Sequence, residues 1–578
     1  MATEETPETS AARELRPPNS SRALSEPKRP EVPAERHGPA AQMARLARLA
    51  RARGYLWTAF YNLYAASIVE GDTTAGFQLA EVLTVLRPRQ PRPELDEAFL
   101  VALRTPWARP ASLARAIVDY LLLDPCVARA AEDLECPAEN LDAAARHLAG
   151  NELFGALVQT AVVNDLRMER LLTALRDHLF ASAAPTPGAL HLAALLAAQA
   201  YLTEYLLPYR TDPADAPAGG RRAQQPEPSA RALLNSMFRP PNAAEIDAIA
   251  AIASISADPA IGCLLTRVRD EPALRTRHRD ALERTAVGLG TAAVSAHDAT
   301  RSCARWFKEP FTPHKLPLPI RRRLQATPAE RMEILVAGCG NGQDLFAVCA
   351  THPSARITAL DANIEKLAHA ARRCDEAGLD RVEFLPGSLL DVPPLGWTFD
   401  LVECLGMQRY APDADFGCEA LARCTRPGSL LRLAVYSDAT CRVISALRNA
   451  AEVNGVTASL ADLRSFRAEL LEGRHGALPP PLLQSPAFFS TSGLRDLLFI
   501  DGEGVLGTSA WLAMLDLHGF DFVCEEVNSE VVRAARAAGF RDAPIWSIRD
   551  CRRFERDHPF AFGGAQFLWF ERRAQAAC

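Results

Sequence analysis

The sequence predicts a doubly wound α/β domain that follows an all-α domain and a disordered N-terminal tail. Strand and helix patterns alternate from about residue 331 onward, which is typical of a parallel sheet covered by helices. Amphipathic helical patterns precede them, and the first residues are rich in Pro, Glu, Ser and Arg. We therefore expect a tail at 1–40, a helical domain at 41–300 with a linker near 211–229, and an α/β domain at 301–578 with a helical insertion near 455–518.

The tail contains few aliphatic residues, so it buries too little apolar surface to offset the entropy lost on ordering. The rest of the chain is different. With 578 residues and 48% hydrophobic residues, it is long and apolar enough for about two to four domains with substantial cores.

Apolar residues recur at helical spacing through most of the N-terminal half. Before the linker this spacing predicts helices over Tyr55–Ile68, Ala75–Leu86, Pro93–Leu103, Ala111–Leu123, Leu141–Val162, Met168–Leu179 and Leu190–Leu207. After the linker it predicts helices over Ala243–Ile255, Ala260–Val268 and Leu274–Glu283. The segments lack a clean repeat of roughly 34 residues, so any tetratricopeptide repeat is degenerate.

Short apolar runs in the C-terminal half predict strands buried on both faces. They cover Glu333–Ala337, Arg356–Leu360, Val382–Leu385, Phe399–Leu405, Leu430–Val435, Phe520–Val527 and Ala565–Arg573. The intervening patterns predict helices over Asp344–Thr351, Ile364–Ala377, Phe416–Cys424 and Ala439–Val453. A late antiparallel edge strand is compatible with such a sheet.

Composition argues against several classes of function. The net charge of −6 gives no reason to expect general nucleic-acid binding. No apolar segment approaches the length of a membrane span, and the N-terminus lacks the apolar core of a signal peptide, so we expect a cytoplasmic protein without a membrane partner. The 14 cysteines are scattered and show no Cys-x-x-Cys pair, so we expect free thiols and no metal site.

A glycine turn follows the first predicted strand, in the run E-I-L-V-A-G-C-G-N-G-Q at 333–343. Gly338, Gly340 and Gly342 permit positive backbone angles and let a ligand approach the main chain. A dinucleotide fingerprint needs Gly-x-Gly-x-x-Gly, whereas here the third glycine comes one residue early and Gln343 fills its place. An NAD-dependent oxidoreductase is therefore a minor alternative.

The carboxyl ends of the next strands supply further candidates, because ligands bind outside these ends in parallel sheets. The second strand leads to Asp361, nineteen residues after Gly342, whose carboxylate can accept both hydroxyls of a ribose or cap the following helix. Ser388 and Leu389 follow the third strand, where the edge of an adenine would lie. The fourth strand carries Glu403.

The Gly-x-Gly-x-Gly turn, the acid after the second strand and the Phe-Asp-Leu-Val-Glu of the fourth together resemble the class I S-adenosylmethionine-dependent methyltransferases, which have a Rossmann-like fold. The resemblance implies S-adenosyl-L-methionine as the cofactor. It places the glycine turn at the methionine part, Asp361 at the ribose and the segment around Ser388 at the adenine. The cofactor-binding residues implied are Gly338, Cys339, Gly340, Gly342, Asp361, Ala362, Ser388, Leu389 and Glu403.

A narrower resemblance is to bacterial proteins that join a helical, often tetratricopeptide-repeat, region to such a domain. It rests on the segments Phe488–Phe499 and Arg553–Trp569. The chain departs from those proteins at Ser388, where many carry an aspartate, and at Arg409 and Tyr410, where they often carry two histidines.

We therefore predict a methyltransferase whose acceptor is a small molecule or a protein, with a possible protein partner bound by the helical domain. Methyl transfer from a sulfonium needs orientation more than a base, so the catalytic residues are left open. Tyr410, Glu403 and His314 are candidates for a base, and Arg409 is either a contact for an acidic substrate or a surface arginine. The alternative function is a degenerate methyltransferase fold that acts as a protein-interaction scaffold.

Overall fold

The computed structural model describes most of the chain from Pro39 onward, with short gaps. The described residues are 39–133, 136–181, 185–208, 227–289, 305–306, 308, 311, 313–325, 328–406, 413–499, 505–527, 531, 535, 548–558 and 565–574. The predicted tail up to residue 38 and most of the predicted linker lie outside these residues.

Helices fill the N-terminal half. Before residue 209 they span Pro39–Ala52, Leu56–Tyr64, Thr73–Val85, Pro93–Arg104, Pro110–Leu121, Pro125–Glu132, Ala138–Ala149, Glu152–Thr160, Leu166–Phe180 and Pro187–Leu202. After residue 226 they span Pro228–Asn235, Ala243–Ser256, Pro259–Leu265 and Glu271–Leu289. Their apolar faces form one continuous core that runs from Ala47 to Leu265.

Two predicted helix boundaries were wrong for local reasons. The helix predicted over Leu141–Val162 is two helices, because the chain turns at Gly150 and the side chain of Asn151 accepts the backbone N–H of Phe154 to begin a new helix. The helices predicted to end at Val268 and begin at Leu274 instead form one run through a π-helical turn at Thr266–Asp270.

The C-terminal half contains a seven-stranded sheet with the order β3-β2-β1-β4-β5-β7-β6. The strands are β1 Glu333–Ala337, β2 Arg356–Asp361, β3 Val382–Pro386, β4 Phe399–Cys404, β5 Thr425–Tyr436, β6 Phe520–Glu526 and β7 Ala565–Arg572. Strands β1 to β5 pair in parallel, whereas β7 is antiparallel to both β5 and β6. The antiparallel strand β7 therefore lies inside the sheet, and β6 forms the edge.

Helices cover both faces of this sheet, which confirms the predicted doubly wound fold. On one face, Val402 and Leu431 pack with the helices Ala414–Cys424 and Thr508–Leu517. On the other face, Val336 packs with the helices Gln343–Thr351 and Ile364–Glu376. The remaining helices of this half are Leu318–Leu324, Asp438–Val453, Leu460–Leu471, Pro480–Leu483, Thr491–Leu498 and Ile548–Asp557.

The helices between β5 and β6 pack against the helical domain. Leu206 of the helical domain shares a buried apolar cluster with Phe466, Phe488 and Leu494. Inside this interface the guanidinium of Arg467 donates to both carboxylate oxygens of Glu169 at 2.7 Å. The two halves of the molecule are therefore joined by an apolar core with a buried ion pair.

No helix among the described residues is both long enough and apolar enough to span a bilayer.

Candidate functional site

A cavity of about 260 Å³ opens at the carboxyl ends of strands β1 to β5. Its volume lies near the lower end of small-molecule sites, which are roughly 300–1,000 Å³. It is lined by Ala337, Gly338, Gly340, Leu360, Asp361, Ala362, Lys366, Gly387, Ser388, Leu389, Cys404, Leu405, Gly406, Ala434, Val435, Tyr436 and Asp496. Because parallel strands end at the same edge of a sheet, residues far apart in sequence meet here.

The glycine turn forms one wall. Gly338, Gly340 and Gly342 have φ angles of 72°, 56° and 86°, a backbone region that other residues rarely adopt. A Cβ atom on Gly338 would lie 2.8 Å from the backbone nitrogen of Gly406, whereas one on Gly340 would meet no atom within 4 Å. Gly338 therefore permits close contact with the end of β4, and the empty space at Gly340 faces the cavity.

Asp361 ties the glycine turn to the second strand. Its carboxylate accepts the backbone N–H of Gly340 at 2.8 Å through one oxygen and the N–H of Asn363 at 2.8 Å through the other. The following helix, Ile364–Glu376, is capped by Asn363, whose side chain accepts from Glu365 and Lys366. The acid is only 8% exposed, and it lines the cavity.

The segment after β3 forms a second wall. The hydroxyl of Ser388 accepts the N–H of Leu390, and Asp391 accepts the N–H of Ser388 at 2.6 Å, so the two side chains cap a short 3-10 turn. Leu389 is buried beside them. Serine at this position therefore shapes the turn as well as lining the cavity.

The structure brings most of the predicted cofactor-binding residues to the cavity, but not all of them. Gly338, Gly340, Asp361, Ala362, Ser388 and Leu389 line it. Gly342 caps the N-terminus of the helix Gln343–Thr351. A Cβ atom on Gly342 would lie 2.7 Å from the Cβ of Ala370, so glycine leaves room for that alanine. Cys339 is buried in the core behind the turn, where burial raises the pKa of its thiol.

Glu403 lies apart from the lining residues. Its side chain is fully buried and accepts the guanidinium of Arg432 at 2.8 Å, and Arg432 also donates to Glu526. Side chains alternate along a strand, so Glu403 shares the face of Leu401 and not that of Cys404, which lines the cavity. Burial alone would lower the pKa of Arg432, but Glu403 and Glu526 together raise it. The arrangement makes Glu403 half of a structural ion pair.

Of the other candidate residues, His314 does not line the cavity, and the remaining two fall outside the described residues. Burial lowers the pKa of His314, and its Nε2 is buried without a hydrogen-bond partner in the described structure, but it does not line the cavity. Arg409 and Tyr410 lie outside the described residues.

Among the lining residues that the sequence prediction did not include, Tyr436, Lys366 and Asp496 carry polar or charged side chains. Tyr436 ends β5, Lys366 lies in the first turn of the helix Ile364–Glu376, and Asp496 lies on the helix Thr491–Leu498. The ammonium of Lys366 donates to Asp496 at 3.0 Å. Burial and the charge of Asp496 raise the pKa of Tyr436 above its ordinary value. The position of Tyr436 at a strand end was a usable signal, whereas the contact of Asp496 depends on tertiary packing.

No cluster of His, Cys, Asp and Glu suited to a metal ion is found among the described residues. The cavity therefore offers a glycine-lined backbone surface, two carboxylates, one ammonium and one phenol.

Comparisons with known proteins point to one family. Residues 334–428 match the family described as "Methyltransferase domain". An uncharacterized protein of Synechococcus sp. is 40% identical over 109 residues, which cover 19% of this chain and 26% of that protein. The chain thus matches about a quarter of the length of this curated relative.

Solved structures show only a distant likeness. PKMT2 from Rickettsia typhi is 15% identical with a TM-score of 0.29, over 43% of this chain and 50% of its own. Magnesium protoporphyrin IX methyltransferase from Synechocystis, solved with bound SAM, is 11% identical with a TM-score of 0.23, over 44% of this chain and 76% of its own. These scores are too low to support an inference about function.

Proposed function

We propose that this chain, whose residues 334–428 form a class I methyltransferase domain, transfers a methyl group from S-adenosylmethionine to a small-molecule or protein acceptor. The observation that carries the proposal is the joining of the glycine turn to Asp361 at the carboxyl ends of the parallel strands. This is the place where an α/β sheet binds its ligand.

The residues at the cavity fit this cofactor. The turn offers backbone at Gly340 with open space where a side chain would stand, as close approach of a ligand requires. The carboxylate of Asp361 is held by two backbone N–H groups, which fixes its orientation toward the two hydroxyls of a ribose. Leu389 supplies an apolar wall beside an adenine position.

The bound cofactor supplies a methyl group on a sulfonium, which is a good leaving group. The protein then has to hold donor and acceptor in line and exclude water, and orientation of this kind contributes roughly 7–11 kcal/mol in intramolecular reactions. Tyr436 lines the cavity, so its phenol can donate a hydrogen bond to a bound molecule. No dedicated base is needed for this mechanism.

Isothermal calorimetry with S-adenosylhomocysteine tests cofactor binding. We expect the wild-type protein to bind the ligand and Gly340→Val to lose binding, since the valine would fill the open space at the cavity wall. Gly378→Val is the matched control, because Gly378 has a similar φ of 68° and open surroundings but lies away from the cavity. Absence of binding by folded wild type would refute the proposal, as would equal binding by Gly340→Val.

Radiolabelled methyl transfer into cell fractions distinguishes an enzyme from a scaffold that retains the fold. We expect label to enter one fraction with wild type and not with Gly340→Val. The molecular mass of the labelled species then separates a protein acceptor from a small molecule. Cofactor binding without any labelled product would favour the scaffold.

A further inference from the structure

One lining residue of the cavity comes from the region between β5 and β6. Asp496 contacts Lys366, which belongs to the helix after β2, and it lines the cavity together with Tyr436 at the end of β5. Strands β2 and β5 are separated in the sheet by β1 and β4. Asp496 therefore lies across the crevice, between its β2 side and its β5 side.

The helix that carries Asp496 is Thr491–Leu498, which we call the strap helix. Its first turn is bonded to the helical domain. The backbone N–H and the hydroxyl of Ser492 donate to the two carboxylate oxygens of Glu204 at 2.7 and 2.8 Å. The hydroxyl of Thr491 donates to the backbone carbonyl of Glu204 at 2.9 Å. A single residue of the helical domain thus receives three hydrogen bonds from the strap helix.

Apolar packing fixes the same attachment. Leu494 and Leu498 are buried in the cluster that contains Leu206 of the helical domain. The strap helix consequently presents its apolar side to this cluster, which joins the helices after β5 to Leu206, and presents Asp496 to the cavity.

The backbone at the attachment point is strained. Glu204 and Tyr205 have φ angles of 53° and 62°, and non-glycine residues in this left-handed region cost roughly 1–2 kcal/mol each. Such conformations persist where surrounding contacts over-determine them, and they cluster at functional sites. Here the contacts are those of Glu204 with the strap helix, together with the guanidinium of Arg464, which donates to the carbonyl of Tyr205 at 3.1 Å.

We propose that Glu204 is a positioning residue that holds the strap helix across the cavity, so that Asp496 becomes part of the cofactor site. On this view the helical domain completes the site of the methyltransferase domain. The inference rests on the proposed function, because it assigns the cavity to S-adenosylmethionine.

The charges at the cavity give Asp496 a specific consequence. The charged lining residues are Asp361, Asp496 and Lys366, so their sum is negative only when Asp496 is in place. S-adenosylmethionine carries a positive sulfonium that S-adenosylhomocysteine lacks. Asp496 should therefore favour the substrate form of the cofactor over the product form.

The test compares the dissociation constants of both ligands for the full-length protein and five variants, one of which is a double variant. We expect Asp496→Asn and Glu204→Ala to weaken S-adenosylmethionine binding by roughly ten-fold or more, the size expected for the loss of one short-range attraction between opposite charges. Binding of S-adenosylhomocysteine should weaken less, so the ratio of the two constants shifts toward the product. Ser492→Ala removes only a hydroxyl and should change the ratio in the same direction. It replaces Glu204→Ala in the test if that variant does not fold.

Asn164→Ala is the matched control. It removes another hydrogen bond between the two halves, from Asn164 to the carbonyl of Gln484, without touching the strap helix. We expect its ligand ratio to equal that of wild type. Hydrogen exchange of the amides in 491–498 should accelerate in Glu204→Ala and Ser492→Ala but not in the control.

A double variant shows whether Glu204 affects ligand binding through Asp496 or independently of it. If Glu204 acts through Asp496, the free-energy changes of Glu204→Ala and Asp496→Asn should not add in the combined variant. Additive effects would overturn the inference. So would an unchanged ligand ratio in the variants of Glu204, Ser492 and Asp496, or an equal change in Asn164→Ala. If the folded wild-type protein binds neither ligand, that result refutes the proposed function and the inference with it.

Discussion

Buried imidazoles show how single residues respond to their surroundings in this protein. His369 lies in the core beside Trp306, with ring centroids 5.5 Å apart, and its Nε2 has no hydrogen-bond partner among the described residues. Burial lowers its pKa well below the ordinary value, and the charges of Arg372 and Arg373 lower it further. The imidazole is therefore neutral in the folded protein at pH 7.

This burial predicts a loss of stability on acidification. The unfolded chain takes up a proton at His369 below about pH 6.5, whereas the folded chain does not, so the free energy of unfolding falls by up to about 1.4 kcal/mol per pH unit below that value. We expect His369→Leu to show a shallower fall between pH 6.5 and 5 in urea denaturation. A pH dependence equal to that of wild type would contradict this assignment, although His314 and His352, whose pKa values burial also lowers, contribute with the same sign.

At the scale of elements, the site depends on how closely the glycine turn approaches neighbouring backbone. The backbone N–H groups of Gly338 and Cys339 donate to the carbonyl of Leu360. The backbone N–H of Leu405 donates to the carbonyl of Ala337. These bonds join the turn to β2 and to the end of β4. The turn is therefore a fixed wall of the cavity, held by backbone contacts on both sides.

The two kinds of glycine in this domain should respond differently to alanine. Gly338→Ala places a Cβ 2.8 Å from backbone at Gly406, whereas Gly378→Ala carries a similar φ penalty in open space. We expect Gly338→Ala to lower the free energy of unfolding by about 1–3 kcal/mol more than Gly378→Ala, because backbone yields less than a flexible side chain. Equilibrium urea denaturation measures this difference, and equal midpoints would show that the turn relaxes freely.

At the scale of the whole molecule, the two halves behave as one packed body at their contact. The ion pair between Arg467 and Glu169 is almost fully buried, and the guanidinium also donates to the carbonyl of Phe488. Glu169 belongs to the helical domain, and Arg467 to the helices after β5. Separation of the halves would expose the surrounding apolar cluster, which opposes it.

Loss of one partner of this pair should be costly. Glu169→Leu leaves the charge of Arg467 buried without compensation, for which we expect a loss of about 3–5 kcal/mol. Adding Arg467→Met should recover part of that loss, because both charges are then gone. Arg104→Ala is the control, since Arg104 and Glu152 form an exposed pair expected to contribute about 0–1 kcal/mol. Chemical denaturation of the four proteins checks the order.

Local pattern was enough to predict most strands and part of the site. The glycine turn, Asp361 and Ser388 follow strands directly, and parallel strands bring their carboxyl ends together, so chain order predicted their meeting. Glu403 could not be placed this way. A one-residue difference in position along β4 decides which face a side chain occupies, and the ion pair with Arg432 comes from a neighbouring strand.

The sequence by itself determined the fold class, the helical character of the N-terminal half and the glycine-turn wall of the cavity, because these follow from periodicity and from residues at strand ends. Only the tertiary structure decided that β7 lies inside the sheet and that Glu403 is a buried ion-pair partner. It also decided that Asp496 reaches the cavity and that Glu204 receives the strap helix. The contact of Asp496 with Lys366 joins residues 130 positions apart, and the contact of Ser492 with Glu204 joins residues 288 positions apart. Such contacts depend on packing that no local pattern encodes.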